Sequence, residues 1–336
     1  MRARGFTLIE MLIVIGIVAV LTGIAAGFLG RVGRSLAITA FRGEVSAVVR
    51  SARTAAVSND SRAIVEIGFG DEETGQGGYI RAREHRVVGV WQFEIGRPTE
   101  GAFSLDLTTH GKWEDCPGRF GGAQRMGKSA YAEAAEPDTL ALPEGGSVQA
   151  YVFPEAPGTG GAVLSKGRGW KLEIDGDGRL GASVRYEGGV QMLETKQGVP
   201  FHRWSHIELE FDATRMVLLV DGREEARWTW KGRVPEDRPA ALAPDWQKPL
   251  VIGAKSRGFQ GRIDHVIVAD LSADETHRTP VGVQFFKPGT TAPALYFMPS
   301  GSLDPREHVC PETISLKSTV TGRFESIRVG LMGDIH

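Results

Sequence analysis

The sequence from Phe6 to Leu29 reads FTLIEMLIVIGIVAVLTGIAAGFL, and its only charged residue is Glu10. An α-helix of this length spans about 36 Å, which is enough to cross the hydrocarbon core of a bilayer. Arg2 and Arg4 precede the run. Because positive charge next to a membrane helix stays on the cytoplasmic side, the sequence predicts that the rest of the chain is exported.

An acidic residue is unusual in such an apolar helix. A carboxylate at the centre of a membrane helix costs about 2.5–3.5 kcal/mol, and less near its end, so Glu10 is expected to have a cationic partner. It lies in the run Gly5-Phe6-Thr7-Leu8-Ile9-Glu10, which follows a short basic leader. This run resembles the type IV prepilin signature.

The prepilin resemblance implies a processing step and a role in assembly. In that family a prepilin peptidase cuts after the glycine and N-methylates the new first residue, which here means cleavage after Gly5 and methylation of Phe6. Glu10 would then face the N-terminal amine of a neighbouring subunit. Each charge is costly in lipid alone and less costly beside the other, so the pair would align subunits entering a filament.

Two other interpretations of the N-terminus are an ordinary signal peptide cut near Ala25-Ala26 and a plain membrane anchor. The apolar part of a signal peptide usually runs for only 7–15 residues and lacks an acidic residue, which favours the prepilin interpretation.

The helix is predicted to continue beyond the apolar run to about Ser58, because further apolar residues recur at helical spacing. These residues are Leu36, Phe41, Val45, Val48, Val49, Ala52 and Ala56.

Two separated stretches resemble parts of one small β-domain. Residues 41–67 combine an Arg- and Ala-rich helix with a strand pattern, and they resemble the GspH/FimT-like class of minor pseudopilins. Residues 294–302, 313–316 and 327–330 resemble the closing strands of that class, with apolar alternation broken by Pro-Ser-Gly turns. The resemblance implies that one pilin-like domain is interrupted by a long insert.

The insert resembles a LamG-like, concanavalin-type jelly roll over about residues 87–271. Its clearest part is Trp204–Asp212 followed by Met216–Glu224, where an alternating strand meets an Asp-Gly turn. Residues 250–254 and 259–268 follow in the order and spacing typical of that fold.

The fold predicted from these patterns is an α+β pilin-like fold, with a long N-terminal helix and a small antiparallel sheet, that carries an inserted all-β jelly-roll sandwich. The predicted domains are a leader peptide (1–5), a transmembrane segment of the N-terminal helix (6–30), a split pilin-like domain (31–84 and 277–336) and a LamG-like insert (85–276).

Composition gives no electrostatic reason to expect a nucleic-acid partner, because 39 Lys and Arg balance 41 Asp and Glu for a formal charge of -2. Cys116 and Cys310 are the two cysteines, and they lack the spacing of a zinc or thioredoxin-like motif. A disulfide between them and a pair of free thiols are both compatible with an exported protein.

The LamG resemblance also implies a structural calcium ion held by acidic residues, a role that it assigns to Asp264 and to Asp106. Oxygen ligands suit such a hard cation. The alternative is that Asp264 caps a turn or contacts Arg262. No other cofactor is expected.

Catalysis is not expected. The run from Glu173 to Asp177 resembles the carboxylate strand of jelly-roll glucanases, in which alternate carboxylates act as nucleophile and acid. The sequence Asp-Gly-Asp-Gly predicts a hairpin turn at this point instead. Glu208, Glu210 and Asp212 alternate as well, and they are predicted to line a solvated strand face. Trp246, in a loop between two prolines, is the best candidate for an exposed ligand-binding aromatic residue.

These patterns predict a minor pseudopilin or pilin, a structural subunit of a type II secretion or type IV pilus-like filament, which displays a LamG-like module for a glycan or a secreted protein. The predicted partners are other pilin or pseudopilin subunits, a prepilin peptidase and the inner membrane, with the C-terminal bulk in the periplasm or in an extracellular filament. The alternatives are a membrane-tethered lectin that does not polymerise and a jelly-roll glycosidase that uses Glu173.

Overall fold

The computed structural model describes residues 8–58, 61–70, 77–97, 99–101, 105–134, 140–230, 241–273 and 276–336. Within helices and strands, the side chains of residues 8–10, 13, 14, 23–35, 272 and 273 lie outside this description. The predicted cleavage site between Gly5 and Phe6 therefore lies outside the described residues. The backbone of Glu10 is helical, and its side chain lies outside the description.

The described part of the chain forms one long α-helix, α1 (Leu8–Ser58), a short 3-10 helix (Lys287–Gly289) and 21 strands. The strands are β1 (Ala63–Gly68), β2 (Tyr79–Trp91), β3 (Leu107–His110), β4 (Trp113–Pro117), β5 (Gly122–Met126), β6 (Tyr131–Ala134), β7 (Gly146–Pro154), β8 (Gly161–Lys166), β9 (Trp170–Ile174), β10 (Arg179–Tyr186), β11 (Gly189–Gly198), β12 (Ser205–Phe211), β13 (Arg215–Val220), β14 (Arg223–Thr229), β15 (Leu250–Gly253), β16 (Gly261–Ala273), β17 (His277–Arg278), β18 (Val283–Phe285), β19 (Ala294–Phe297), β20 (Glu312–Ser318) and β21 (Phe324–Val329).

The chain divides into two compact units. The helical unit comprises residues 1–83 and 274–336, and the sandwich unit comprises residues 84–273. Each unit has its own cluster of buried apolar side chains.

In the helical unit, α1 packs against β1, β19, β20 and β21. The strands form one sheet in which β1 lies between β2 and β19, with β17 paired to β2, and a three-stranded sheet in the order β18-β20-β21. The packed face of the helix consists of Ile38, Phe41, Val45, Val48, Val49, Ala52 and Ala56. The identity of this unit as a pilin-like domain stays a prediction.

The predicted end of the helix at Ser58 is confirmed, and the helix contains all the residues whose spacing predicted it. Of these residues Leu36 is 62% exposed, whereas Ile38, which was not among them, is fully buried. Leu36 precedes Phe41 by five residues, which turns its side chain about 140° around the helix axis. Ile38 precedes Phe41 by three residues and therefore shares its face.

The first turns of α1 expose their apolar side chains. Every described side chain from Met11 to Thr22 is exposed. The large ones are 54% to 63% exposed, and they are Met11, Leu12, Ile15, Ile17, Val18, Val20 and Leu21. Over the described residues, no helix offers a stretch long and apolar enough to cross a membrane. The predicted spanning segment, residues 6–30, begins before the described part of the chain and stays a prediction.

The sandwich unit is a jelly-roll-like β-sandwich of two sheets. One sheet has the order β14-β13-β12-β7-β16-β2, with β5 paired to β16 and β4 paired to β5; the other has the order β11-β10-β9-β8-β15-β6-β3. The strands bury every second side chain in the core, as in β7 and β10, because successive side chains point to opposite faces. The prediction of a mostly β, jelly-roll-like sandwich together with an N-terminal helix is confirmed.

The predicted Asp-Gly turn joins β13 to β14. Asp221 has φ 50° and Gly222 has φ 75°. Two successive residues with positive φ give the two-residue turn whose twist suits a hairpin, and Asp-Gly is among the sequences that favour it.

The prediction of a solvated face for Glu208, Glu210 and Asp212 is wrong. These residues are only 8%, 3% and 5% exposed. Arg215, which is also buried, lies 3.9 Å from Glu210 and 3.5 Å from Asp212. Strand alternation separates the two faces of a strand, but it does not tell which face is covered, and a carboxylate paired with Arg can be buried.

Candidate functional site

A tight turn joins β4 to β5 and lies against β16. The N–H of Gly118 donates to the carbonyl oxygen of Gly121 over 2.9 Å. A Cβ atom on Gly118 would lie 2.7 Å from Oδ2 of Asp264 and closer still to the backbone of Gly122, so the approach requires glycine. The turn thereby brings its two central residues to the carboxylate of Asp264.

Asp264 is completely buried and anchors this turn. Its Oδ2 accepts hydrogen bonds from the N–H of Arg119 (2.8 Å) and of Phe120 (3.0 Å). Its Oδ1 is buried and has no hydrogen-bond partner among the described residues. Burial raises the pKa of the Asp264 carboxyl group, although the backbone N–H groups of Phe120 and Arg119, and the neighbouring His265, oppose that rise. One oxygen is therefore stabilised, and the other is left in an unfavourable environment.

The strand that carries Asp264 is irregular at this point. The pairing of β16 with β7 shifts register between Asp264 and Ile267, and His265 has a positive φ of 49°. A bulge of this kind redirects side chains relative to a regular strand. The ring of His265 reaches that of Phe120, with 5.5 Å between ring centroids.

Four rings form what we call the aromatic surface: Phe120, Tyr151, His206 and His265. The ring of Phe120 lies edge to face with that of Tyr151, at 4.9 Å and 88°, and the rings of Tyr151 and His206 are 4.8 Å apart. Phe120 is 53% exposed, and the other three residues are half-buried. Register explains the meeting of the rings, because Tyr151 on β7 pairs with His206 on one side and with Asp264 on the other.

Polar groups border the aromatic surface. Nε2 of His206 lies 3.1 Å from Oε1 of Gln149. The hydroxyl of Tyr151 makes no hydrogen bond to a described residue. The guanidinium carbon of Arg119 lies 5.8 Å from the ring centroid of Phe120, and this exposed group has no ion-pair partner in the described part of the chain. The surface thus combines ring faces with groups that are able to hydrogen-bond a ligand.

A second aromatic pair continues along the same two strands. The rings of Phe153 and Trp204 are 5.6 Å apart, and the guanidinium of Arg262 lies 4.7 Å from the ring centroid of Phe153. Both aromatic residues are half-buried.

Trp246 is 47% exposed, in a loop that the protein holds firmly. Lys166 is fully buried, and its Nζ donates to the carbonyl oxygens of Asp245, over 3.1 Å, and of Lys248. The Asp245 carboxylate accepts the N–H of Arg168 over 3.0 Å, and this hydrogen bond lowers the pKa of Asp245. These contacts fix the residues on both sides of the tryptophan. The predicted ligand-binding role of Trp246 stays a prediction.

The second sheet carries an open depression of about 380 Å³ that is lined by Glu173, Asp175, Arg179 and Glu194, among others. Glu173 lies 2.7 Å from Nζ of Lys171. Oδ1 of Asp175 accepts the N–H groups of Asp177 and Arg179, each over 2.8 Å. The predicted Asp-Gly-Asp-Gly hairpin turn is confirmed, and the Asp175 carboxylate stabilises that turn.

The structure does not bring the two predicted calcium ligands together. Oδ1 of Asp106 accepts the N–H of Gly101 over 3.2 Å, and no contact joins it to Asp264 among the described residues. Nor do those residues include a group of three His, Cys, Asp or Glu side chains that could hold a metal ion. The unpartnered oxygen of Asp264 would supply one of the roughly six to eight oxygen ligands that calcium takes, and the calcium site stays a prediction.

Cys116 and Cys310 are free thiols in this structure. Cys116 is half-buried, and burial raises the pKa of its thiol, whereas Cys310 is exposed. The predicted bridge between them stays a prediction.

Sequence reasoning did not find the aromatic surface. The sequence did contain a signal for it: Tyr151 and Phe153 are two residues apart in β7, and Trp204, which immediately precedes β12, is two residues from His206. Residues two apart share one face of a strand, so both pairs lie opposite the core residues between them. No pattern in these strands indicated that the turn between β4 and β5, which is distant in sequence, would place Phe120 beside them.

Residues 126–275 match the concanavalin A-like lectin/glucanases superfamily, and residues 1–26 match the prokaryotic N-terminal methylation motif. The chain therefore carries a prepilin-type N-terminus and a concanavalin A-like domain. No curated protein matches the chain.

Several solved structures are similar in fold. Domain 4 of AbnA, a GH43 extracellular arabinanase from Geobacillus stearothermophilus in complex with arabinotriose, is 13% identical, with a TM-score of 0.42, over 56% of this chain and 95% of that chain. The CBM40 of Ruminococcus gnavus IT-sialidase bound to alpha2,3 sialyllactose is 16% identical, with a TM-score of 0.33, over 40% and 81%. The carbohydrate binding module CBM66 from Bacillus subtilis is 12% identical, with a TM-score of 0.30, over 50% and 95%. Similarity at this level does not identify a ligand for this chain.

Proposed function

We propose that this protein is a minor pseudopilin or pilin, a structural subunit of a type II secretion or type IV pilus-like filament that displays a glycan- or protein-binding module. The observation that carries the proposal is the prepilin-type motif at residues 1–26, which leads directly into a helix whose described side chains from Met11 to Thr22 are exposed.

The exposed apolar side chains at the start of α1 support the proposal that this part of the helix is buried in a lipid bilayer or against other subunits. Each large apolar side chain gains roughly 1.5–3 kcal/mol when it is removed from water. Seven such side chains are exposed over a few helical turns, and a folded protein rarely leaves a patch of that size in water without a partner. Before assembly, lipid would cover these side chains, and in the filament the helices of neighbouring subunits would cover them.

Glu10 would set the register of that assembly. Cleavage after Gly5 by a prepilin peptidase creates a new amino group at Phe6, and N-methylation keeps this group cationic. A carboxylate in an apolar environment is stabilised by a cation within a few ångströms. The amine of one subunit and the Glu10 side chain of the next would therefore form an ion pair as subunits enter the filament.

The mass of the intact mature protein tests this proposal. We expect a chain that begins at Phe6 and carries one N-methyl group. An uncut chain would contradict the pilin assignment and leave a membrane-tethered lectin that does not polymerise. A chain cut near Ala25-Ala26 would also contradict the assignment, and it would have lost most of the apolar segment.

Incorporation into filaments provides a second test. We expect Glu10→Ala to abolish incorporation while leaving the cleavage after Gly5 unchanged. Glu44→Ala is the matched control, because Glu44 is the other acidic residue of the helix and lies 2.9 Å from His277 of the same unit. Normal filament incorporation of the Glu10→Ala subunit would contradict the proposed pairing.

The displayed module is proposed to bind glycan. The support is the match of residues 126–275 to a superfamily of lectins and glucanases, together with the exposed rings of Phe120 and Trp246 on the sandwich unit. Aromatic rings at a surface offer apolar faces to the C–H groups of a sugar. Binding of the mature protein to an array of immobilised oligosaccharides tests this part, and failure to bind any of them would favour a protein ligand.

Catalysis by the sandwich unit is the weaker alternative. Glu173 and Asp175 line one depression, but Lys171 pairs with Glu173, and Asp175 stabilises a turn. Hydrolysis of β-glucans by the purified protein that disappears in the Glu173→Gln variant would establish the glycosidase alternative. We expect no hydrolysis by either protein.

A further inference from the structure

We propose that the aromatic surface is the ligand face of the sandwich unit and that it binds an acidic oligosaccharide. A sugar ring would pack against Phe120, and its carboxylate would pair with Arg119. The proposal rests on the glycan-binding part of the proposed function, to which it adds the surface, the ligand class and the two principal contacts.

The ring of Phe120 is exposed and yet held in place. It projects from a turn that needs glycine at position 118, and its own N–H is bound by the buried carboxylate of Asp264. The ring also contacts those of Tyr151 and His265. A ligand that packs on a ring fixed in this way does not have to order it first, and such preorganisation increases affinity.

Asp264 contributes to this site as a positioning residue. Its Oδ2 fixes the two residues that would contact the ligand, while its Oδ1 is buried without a partner among the described residues. An unsatisfied buried oxygen destabilises a fold, and such defects are found at functional sites more often than elsewhere. The unsatisfied oxygen therefore indicates that this turn serves to position Arg119 and Phe120 rather than to stabilise the fold.

The guanidinium of Arg119 favours an anionic ligand, although the carboxylate of Glu94 lies beside the same turn, near Gly121. Glu155 is the carboxylate shared by Arg125 (2.8 Å) and Arg262 (3.2 Å) on the two strands next to the turn. Arg119 has no ion-pair partner in the described part of the chain. A planar guanidinium beside an aromatic ring binds a carboxylate through paired hydrogen bonds while the ring holds the attached sugar.

The test uses the full mature chain in detergent and a panel of oligosaccharides in which each acidic uronate is paired with its neutral methyl ester. We expect Phe120→Ala to weaken binding to both members of a pair by about tenfold. Arg119→Gln is expected to weaken binding to the acidic member by about tenfold and to leave the neutral member within about twofold. Both substituted side chains are exposed, so the variants are expected to retain the melting temperature of the parent protein.

The matched control for Arg119→Gln is Arg223→Gln, which removes another exposed arginine of the same unit, at the hairpin between β13 and β14. This control is not expected to change affinity by more than about twofold. Trp246→Ala is not a control but tests a competing site, because Trp246 is another exposed aromatic residue of the same unit.

The results distinguish failure of this proposal from failure of the proposed glycan-binding role. If Trp246→Ala abolishes binding and Phe120→Ala does not, the aromatic surface is the wrong site, and glycan binding still stands. Equal affinity for the acidic and neutral members, unaffected by Arg119→Gln, would overturn the acidic ligand class. If the parent protein binds no oligosaccharide in the panel, both the surface and the glycan-binding role are wrong, whereas the filament role is untouched.

Discussion

The carboxylate of Glu66 on β1 is paired with two arginine side chains of the helical unit. Its Oε1 accepts a hydrogen bond from Arg83 over 2.6 Å, and its Oε2 accepts one from Arg81 over 2.7 Å. Burial alone would raise the pKa of Glu66, but the two guanidinium groups outweigh that effect and lower it below its ordinary value. The ionised form of Glu66 is therefore stabilised by folding.

We expect Glu66→Gln to lower the free energy of unfolding by about 1.5–3 kcal/mol at neutral pH, the usual range for hydrogen bonds to charged groups. Because folding depresses the pKa of Glu66, its contribution is present above about pH 4.5 and is lost as pH falls through the folded-state pKa. Denaturant titrations from pH 3 to pH 7 should show the two proteins converging on the acid side. A difference that stays constant with pH would rule out the ion pair as its cause.

The control for that experiment is Glu44→Gln, which removes an acid that is 47% exposed. Exposed pairs are worth about 0–1 kcal/mol, so this variant should unfold close to the parent protein.

The calcium prediction also depends on a single residue, Asp264. If the unpartnered oxygen of Asp264 helps to hold Ca²⁺, the ion should raise the melting temperature of the parent protein, because it binds only the folded state. A chelator should reverse the shift, and Asp264→Asn should remove it. Asp177→Asn, at an exposed turn residue, is the control that should keep the shift. Identical melting curves with calcium and with chelator would remove the metal from this site.

At the scale of elements, α1 has two parts that differ in their surroundings. From Ile38 onward one face packs on the strands of the helical unit, where Phe41 lies edge to face with Phe285 at 5.7 Å. The described side chains from Met11 to Thr22 are exposed on all sides. A helix that is apolar all round is suited to a lipid or protein environment, and one with a single apolar face is suited to a domain surface.

This difference predicts the effects of two substitutions in the helix. Phe41→Ala should destabilise the helical unit by about 3–5 kcal/mol, because the ring is 2% exposed and its removal leaves a cavity. Leu36→Ala should change stability by less than about 0.5 kcal/mol, because that side chain is 62% exposed. Denaturation followed by circular dichroism measures both values, and equal effects would contradict the observed face of the helix.

At the scale of the whole molecule, the predicted domain organisation implies that the sandwich unit folds independently of the helical unit. The two units have separate apolar cores, and the ends of the sandwich unit lie on the neighbouring strands β2 and β16. Inserted domains commonly have adjacent termini, which allows the host to fold around them.

We therefore expect a fragment of residues 84–273 to fold alone and to melt in one cooperative transition. Thermal denaturation followed by near-ultraviolet circular dichroism measures this, because the seven tryptophans are concentrated in the fragment. A fragment that aggregates or lacks a cooperative melt would contradict the predicted division.

The elements were predictable from the sequence where their signals are local. Apolar residues at helical spacing predicted the end of α1 at Ser58, and Asp221-Gly222 predicted a hairpin because Asp-Gly favours the positive φ angles that the two central residues of this turn require. Helical spacing did not define the buried face of α1, because Leu36 has that spacing and is 62% exposed. Local reasoning misjudged Glu208 and its neighbours, because alternation does not reveal whether the outer face of a strand is covered.

The sequence by itself determined the apolar N-terminal helix, the prepilin motif and the jelly-roll-like class. Each was recognised from patterns that lie within short stretches of the chain. Only the tertiary structure decided which side chains meet: it brought Phe120 from a glycine turn to Tyr151 on β7 and to Asp264 and His265 on β16. The physical reason is that strand register and a bulge fix these contacts, and both arise from pairing between distant segments that no local pattern encodes.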